Sequence, residues 1–175
     1  LLKDLGTEYY RLQFLVDTKA QHLKKEMEVS IQAGNIVGSL YNEILKQYIN
    51  PESPESLKSL NVLCVRLVFC LYAEDAGIFG RHGMFHDYLA MFPADKMRTA
   101  LIDLFKVLNT PVAERDPYMD EALSAFPYVN GGLFERTDIE IPRFNENIRD
   151  LLLQKASDDF DWSMISPTIF GAVFE

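Results

Sequence analysis

The chain has 175 residues, 48% of them hydrophobic and 12% aromatic, which suits one domain, or one domain and a lead-in. A domain of that size buries roughly 70% of its unfolded surface, enough for a real core. Net charge is −9, with only 6 Lys/Arg against 14 Asp/Glu after residue 100, which excludes a phosphate-neutralising surface in that part.

The first hundred residues hold 11 Lys/Arg against 12 Asp/Glu. Their cations Arg11, Lys19, Lys24 and Lys25 alternate with Asp17, Glu26 and Glu28, the pattern of a solvated helix face. LLKDLGTEYY at the N-terminus lacks the charged-then-apolar order of a secretory signal. Leu5, Tyr9, Leu12, Val16, Leu23 and Met27, with Ala20 between, recur at helical spacing and predict one long amphipathic helix. A break is expected at Gly34-Asn35, then a second helix through Val37, Leu40, Tyr41, Ile44, Leu45 and Tyr48, stopped by Asn50-Pro51.

Ser56 is the expected N-cap of a third helix through Leu57, Leu60, Leu63, Leu67 and Leu71, ending at Gly77. Its nearly apolar run, Val62 to Ala73, is interrupted by Arg66 and falls short of the roughly 20 residues that span a bilayer. Being apolar all round, this helix is expected at the centre of the fold. Cys64 and Cys70 lie in it, about 120° apart around the axis, so they are expected as buried free thiols in a reducing cytosol.

Further on, Asp95 is the expected cap of a helix whose inner face is Met97, Leu101, Leu104, Phe105 and Leu108. Asp116-Pro117 should start a shorter one. Residues 126–142 are the least helical: an Asn-Gly-Gly turn and the alternation Ile139-Glu140-Ile141 suggest a small hairpin or an extended arm. Asn145 should cap a helix carrying Ile148, Leu151, Leu152 and Leu153. The final stretch, with Asp161, Ser163 and Ser166-Pro167 as caps and Ile169, Phe170, Val173 and Phe174 at helical spacing, reads as a helix without a stop signal, as if excised from something longer. The summed expectation is an all-α, multi-helix bundle around a central apolar helix, with one irregular segment near 126–142.

Several groups invite chemistry, and each has a plainer reading. His82 and His86 are four apart, with Glu74, Asp75 and Asp87 nearby, but Gly80 and Gly83 argue against a continuous zinc-binding helix and no HExxH glutamate is present. Glu74-Asp75 is a carboxylate pair at a helix C-terminus, where the macrodipole disfavours negative charge. Structural partners are expected for it: Arg66, Arg81 or backbone N–H groups of the next segment. Arg66 is itself costly to bury unless matched. Asn130-Gly131-Gly132 lacks the lysine and Ser/Thr of a P-loop and suits a tight turn. Asp17-Thr18-Lys19 echoes half of a nuclease metal site inside a helix. Ser166-Pro167-Thr168-Ile169-Phe170 lacks the second proline of an amino-methyltransferase motif. No catalytic, cofactor-binding or metal-binding residue is assigned.

Two longer segments carry a resemblance. Val65 to Phe79 (VRLVFCLYAEDAGIF) and Phe126 to Phe134 (FPYVNGGLF) resemble the helical spacer of Mme-type (type IIG/IIL) single-chain restriction–modification enzymes. The closing FDWSMISPTIFGAVFE is similar to the stretch leading into the methyltransferase domain of that family. The resemblance implies 1–159 as spacer and 160–175 as lead-in, with nuclease acids upstream and methyltransferase motifs downstream. It implies a cytoplasmic parent that uses S-adenosylmethionine and methylates adenine in DNA, with Mg²⁺ for cutting where the parent cuts at all, its own nuclease and methyltransferase domains being the spacer's partners. Arg66, Glu74, Asp75, Asn130, Gly131, Gly132, Trp162 and Phe170 are the residues expected to lock the spacer in place. A stand-alone helical interaction module of a phage-defence methylase complex is the alternative.

Overall fold

The computed structural model describes the backbone of residues 2–165, and side chains from Gln21 onward except His22. Of the expected helix over 160–175 only 160–165 are described, a 3-10 turn Trp162–Met164 with Asp161 Oδ1 accepting the Ser163 N–H at 3.0 Å; Ser166-Pro167, Phe170 and the Asp17-Thr18-Lys19 side chains lie outside the described residues. Six α-helices and no strand occur among the described residues: α1 (Leu2–Leu45), α2 (Pro54–Asp75), α3 (Met84–Ala90), α4 (Met97–Leu108), α5 (Glu121–Ser124) and α6 (Glu146–Asp150). The all-α expectation holds.

Several boundaries move. The expected break at Gly34-Asn35 does not occur, and α1 is one helix of 44 residues. A glycine inside a helix costs about 1 kcal/mol relative to alanine but leaves the hydrogen-bond ladder intact, and the buried Ala33, Leu40 and Ile44 hold this stretch against the bundle. Ser53, not Ser56, caps α2: its Oγ accepts the Ser56 N–H at 3.2 Å, and Pro54 takes the first helical position. Asp95 caps nothing; it sits in a 3-10 turn, Ala94–Lys96, that feeds α4. Asp116-Pro117 makes a turn in which Asp116 Oδ1 accepts the Tyr118 N–H, and the short α5 starts only at Glu121. Helix α3 was not foreseen, its seven residues being too few for a periodic signal.

Helix α2 is the centre. Leu60, Leu63, Leu67, Cys70, Leu71 and Ala73 are fully enclosed, and both cysteines are buried and free. By length and composition alone this helix of 22 residues, with mean hydropathy 1.5 over an 18-residue window, could cross a membrane, which the shorter run Val62 to Ala73 had not suggested. Here α1, α3 and the segment at Trp162 pack against it, and α4 adds the buried Met97, Leu101, Leu104 and Leu108. Its end is built by Gly77 at φ 79°, which lets the Ile78 N–H reach the Ala73 carbonyl at 2.9 Å.

Residues 126–144 form an extended arm, not a hairpin. Phe126, Phe134, Ile141 and Phe144 are buried along it. Phe126 meets Phe79 and Tyr88 edge-on at 5.1 and 5.7 Å, and Phe134 meets Phe69 at 5.9 Å. Glu140 is held against α2 and the connection before it: its N–H donates to Ser59 Oγ (2.9 Å), its carboxylate accepts from Ser56 Oγ (3.3 Å) and its carbonyl accepts from Tyr48 Oη (2.7 Å). Asn145 Oδ1 then caps α6 by accepting the Ile148 N–H at 2.9 Å, as expected. The helix widens into a π-helix over Leu151–Asp158.

Candidate functional site

An arm without strands has backbone groups that must find partners elsewhere. Arginines supply them. Arg66, projecting from the middle of α2 and 2% exposed, donates from Nε to the Leu133 carbonyl (3.1 Å) and from Nη2 to the Arg136 carbonyl (2.7 Å). Its guanidinium also lies 5.2 and 5.4 Å from the ring centres of Phe105 and Phe134. Burial pulls its pKa below the usual arginine value, yet guanidinium stays protonated in proteins. The expected pairing of Arg66 with Glu74-Asp75 does not form. Eight residues separate Arg66 from Glu74, about 12 Å along the helix axis, beyond the reach of a salt bridge.

Glu74 is 1% exposed and bonds two other elements. Its Oε2 accepts the His86 N–H (2.8 Å) and its Oε1 accepts the Ser157 hydroxyl (2.7 Å). The first bond has a local cause. Helix α3 starts after Gly83, at φ 76°, which has no side chain to cap it, so a carboxylate from α2 takes one of its free N–H groups. Asp75 does the same for the chain at Trp162, accepting that N–H at 2.8 Å on Oδ2. Burial, partly offset by these bonds, raises both carboxyl pKa values above the usual range. Arg81, another expected partner, pairs with Asp87 at 2.8 Å instead. The carboxylate pair thus anchors backbone and a hydroxyl, with no arginine involved.

Trp162 is 1% exposed, donates from Nε1 to the Ala156 carbonyl (2.6 Å) and stands edge-on to Phe160 at 4.8 Å. The α2 end, α3, the π-helix and the Trp162 turn therefore meet in one hydrogen-bonded cluster. Asn130-Gly131-Gly132 is an exposed turn just before Phe134 in the chain, with Gly131 and Gly132 at φ 133° and 83°. His82 is largely exposed, 3.6 Å from Asp75, while His86 lies 3.3 Å from Asp87 and 3.4 Å from Asp158. No grouping of three His, Cys, Asp or Glu suited to a metal occurs among the described residues.

Three more arginines act like Arg66, and none stood out in the sequence. Arg115 bonds the Val107, Thr110 and Phe126 carbonyls, joining the end of α4 to the start of the arm. Arg149 bonds the Phe92 and Ala90 carbonyls at the end of α3, and Arg98 bonds the Ile141 carbonyl. Their common sign is arginine close to a helix end or an irregular segment, but their partners are 5 to 59 residues away.

Comparison with known proteins shows what this helical bundle is similar to. The family described as MmeI, helicase spacer domain, matches residues 58–134, which take in α2, α3, α4, α5 and the first half of the arm. A solved structure of the type IIL restriction-modification enzyme MmeI in complex with DNA superposes on 83% of the chain with a TM-score of 0.67 and 38% identity. The chain is similar to an MmeI-type helical spacer. DNA methyltransferase A of Bacillus subtilis (strain 168) is 30% identical over 154 residues, 87% of the chain. The chain spans only 17% of that relative's length and 18% of the MmeI chain. Arg66 and the Glu74-Asp75 pair lie inside the matched stretch, while their partners Arg136, Ser157 and Trp162 lie beyond it.

Proposed function

We propose that this spacer sits inside a fused bacterial restriction–modification enzyme and holds a nuclease and a methyltransferase domain at a set distance. The parent binds S-adenosylmethionine, methylates adenine in a short DNA site in the cytoplasm, and uses Mg²⁺ if it cuts. The observation that carries this reading is the 38% identical fold match to MmeI over most of the chain. Physical logic supports it. A packed helical body, with its one irregular arm held by buried guanidinium groups, conveys a distance that a flexible linker would smear over several ångströms.

In this reading residues 1–159 are the spacer and 160–175 lead into the methyltransferase. Arg66 and the arm with its Asn130-Gly131-Gly132 turn keep the body rigid. Glu74, Asp75 and Trp162 fix the start of the lead-in, to which Phe170 belongs in sequence. The spacer contributes no reacting group and touches DNA little, since Arg66, Arg98, Arg115 and Arg149 are engaged with carbonyls and Arg81 and Arg136 with aspartates.

Calorimetry on the isolated 175-residue chain should show no S-adenosylmethionine binding, and the full-length protein should bind it and methylate DNA. Micromolar binding by the isolated chain would overturn the reading. So would a parent sequence with no S-adenosylmethionine-binding and N/D-P-P-Y/F motifs.

A further inference from the structure

Helix α6 does not continue as its sequence directs. Residues 151–158, LLLQKASD, contain no glycine, proline or β-branched side chain and are mostly strong α-helix formers. Ile148, Leu152 and Ala156, all buried, fall at i, i+4 and i+8, the stripe of an ordinary α-helix. The chain nonetheless runs as a π-helix for eight residues, Leu151–Asp158, and the Asp159 N–H closes on the Gln154 carbonyl at 2.9 Å, five positions back. Such widening is rare and mostly confined to a single turn. Local preference does not account for it, so the cause lies in what the segment touches.

Its tertiary bonds crowd into the last three residues. The Ala156 carbonyl accepts from Trp162 Nε1 (2.6 Å), Ser157 Oγ donates to the buried Glu74 (2.7 Å), and Asp158 Oδ2 lies 3.4 Å from His86 Nε2. Ser157 comes nine positions after Ile148, which in a continuous α-helix sets it roughly half a turn around the axis from that buried residue. Each π-type bond spans one residue more than an α-type bond, so the widened turns rotate less per residue and bring Ser157 back to α2. The π register and this clamp therefore require each other.

Resting on the reading of residues after 159 as the lead-in, we infer that Leu151–Asp158 is a two-state register element. Held by Glu74, His86 and Trp162 it is a π-helix; released, it relaxes to the α-helix that its sequence prefers. The relaxed form is longer along the axis and turns residue 159 about it, which moves the start of the lead-in relative to the end of α2. The clamp thus sets where the chain leaves the spacer.

Pulsed electron resonance tests this in the full-length protein, with nitroxides attached to p-acetylphenylalanine in place of the exposed Asn147 and Asp159. The wild type should give one narrow distance. In Ser157→Ala/Asp158→Ala, whose alanines favour helix, the distance should lengthen by about 3 Å, since roughly two turns each give back one residue's rise of about 1.5 Å. An unchanged distance would show that the clamp does not hold the register, and loss of any defined distance that the segment unfolds instead of changing helix; either overturns the inference. Both labels lie before residue 160. A parent without methyltransferase motifs would therefore refute the lead-in reading and leave this distance result untouched.

Discussion

Arg66 shows how an expensive residue can be right for its place. A charged group in an apolar helix was expected to need a carboxylate; it has two carbonyls and two aromatic faces instead. Planar fork geometry explains the choice, because a lysine could not bond the Leu133 and Arg136 carbonyls in fixed directions at once. Arg66→Ala should destabilise the spacer by about 3–5 kcal/mol, since it strands two buried acceptors and opens a cavity. Arg66→Lys should recover only part of that loss, and urea unfolding measures both. Glu74 makes an opposite use of charge. Its pKa is raised by burial, so the unfolded chain releases this proton at lower pH than the folded one. Folding stability from this group is therefore lost as pH rises above the ordinary glutamate range and regained on acidification. Relative to Glu74→Gln, the wild type should lose stability as pH rises above the ordinary glutamate range, seen as a falling difference in denaturation midpoints. A constant difference as pH rises would show that Glu74 does not titrate as its burial implies.

Elements were legible where sequence periodicity was long and lost where it was short. Helix α2 announced itself through leucines on every face, and α4 and α6 through their buried stripes. Failures came from local signals read too strongly. Gly34-Asn35 looked like a stop, yet tertiary packing of Ala33 and Leu40 carries α1 through it. Gly34→Ala should accordingly raise the stability of the isolated chain by about 0.5–1 kcal/mol, because the new methyl has open space and the unfolded chain loses entropy. A destabilising result would mean that α1 is broken there after all. Ser53 won the cap of α2 over Ser56 because Pro54 is suited to the first helical position and cannot follow a helical residue comfortably. The apolar stripe of α1 was found by its period, but period does not say which partner covers it. At Leu23 and Met27 that face points away from the bundle.

At the scale of the molecule, the acidic balance and the engagement of the arginines argue against a nucleic-acid surface on the spacer. Lys24 and Lys25 are exposed on the free half of α1 and are the best remaining candidates for phosphate contact. Charge reversal at both, in the full-length protein, should leave DNA affinity and its salt dependence unchanged. A drop in the salt slope of about one per lysine would instead place α1 on the DNA backbone. Composition and periodicity by themselves determined that this is a helical pack around α2, with buried thiols and a non-helical arm, because burial patterns of that kind are local and repeat along the chain. Only the tertiary structure decided that Arg66 holds the arm and that Glu74 and Asp75 anchor α3 and Trp162. Those bonds join residues 12 to 87 positions apart, and a polar group's partner at such range follows from how the helices stack, which no local pattern encodes.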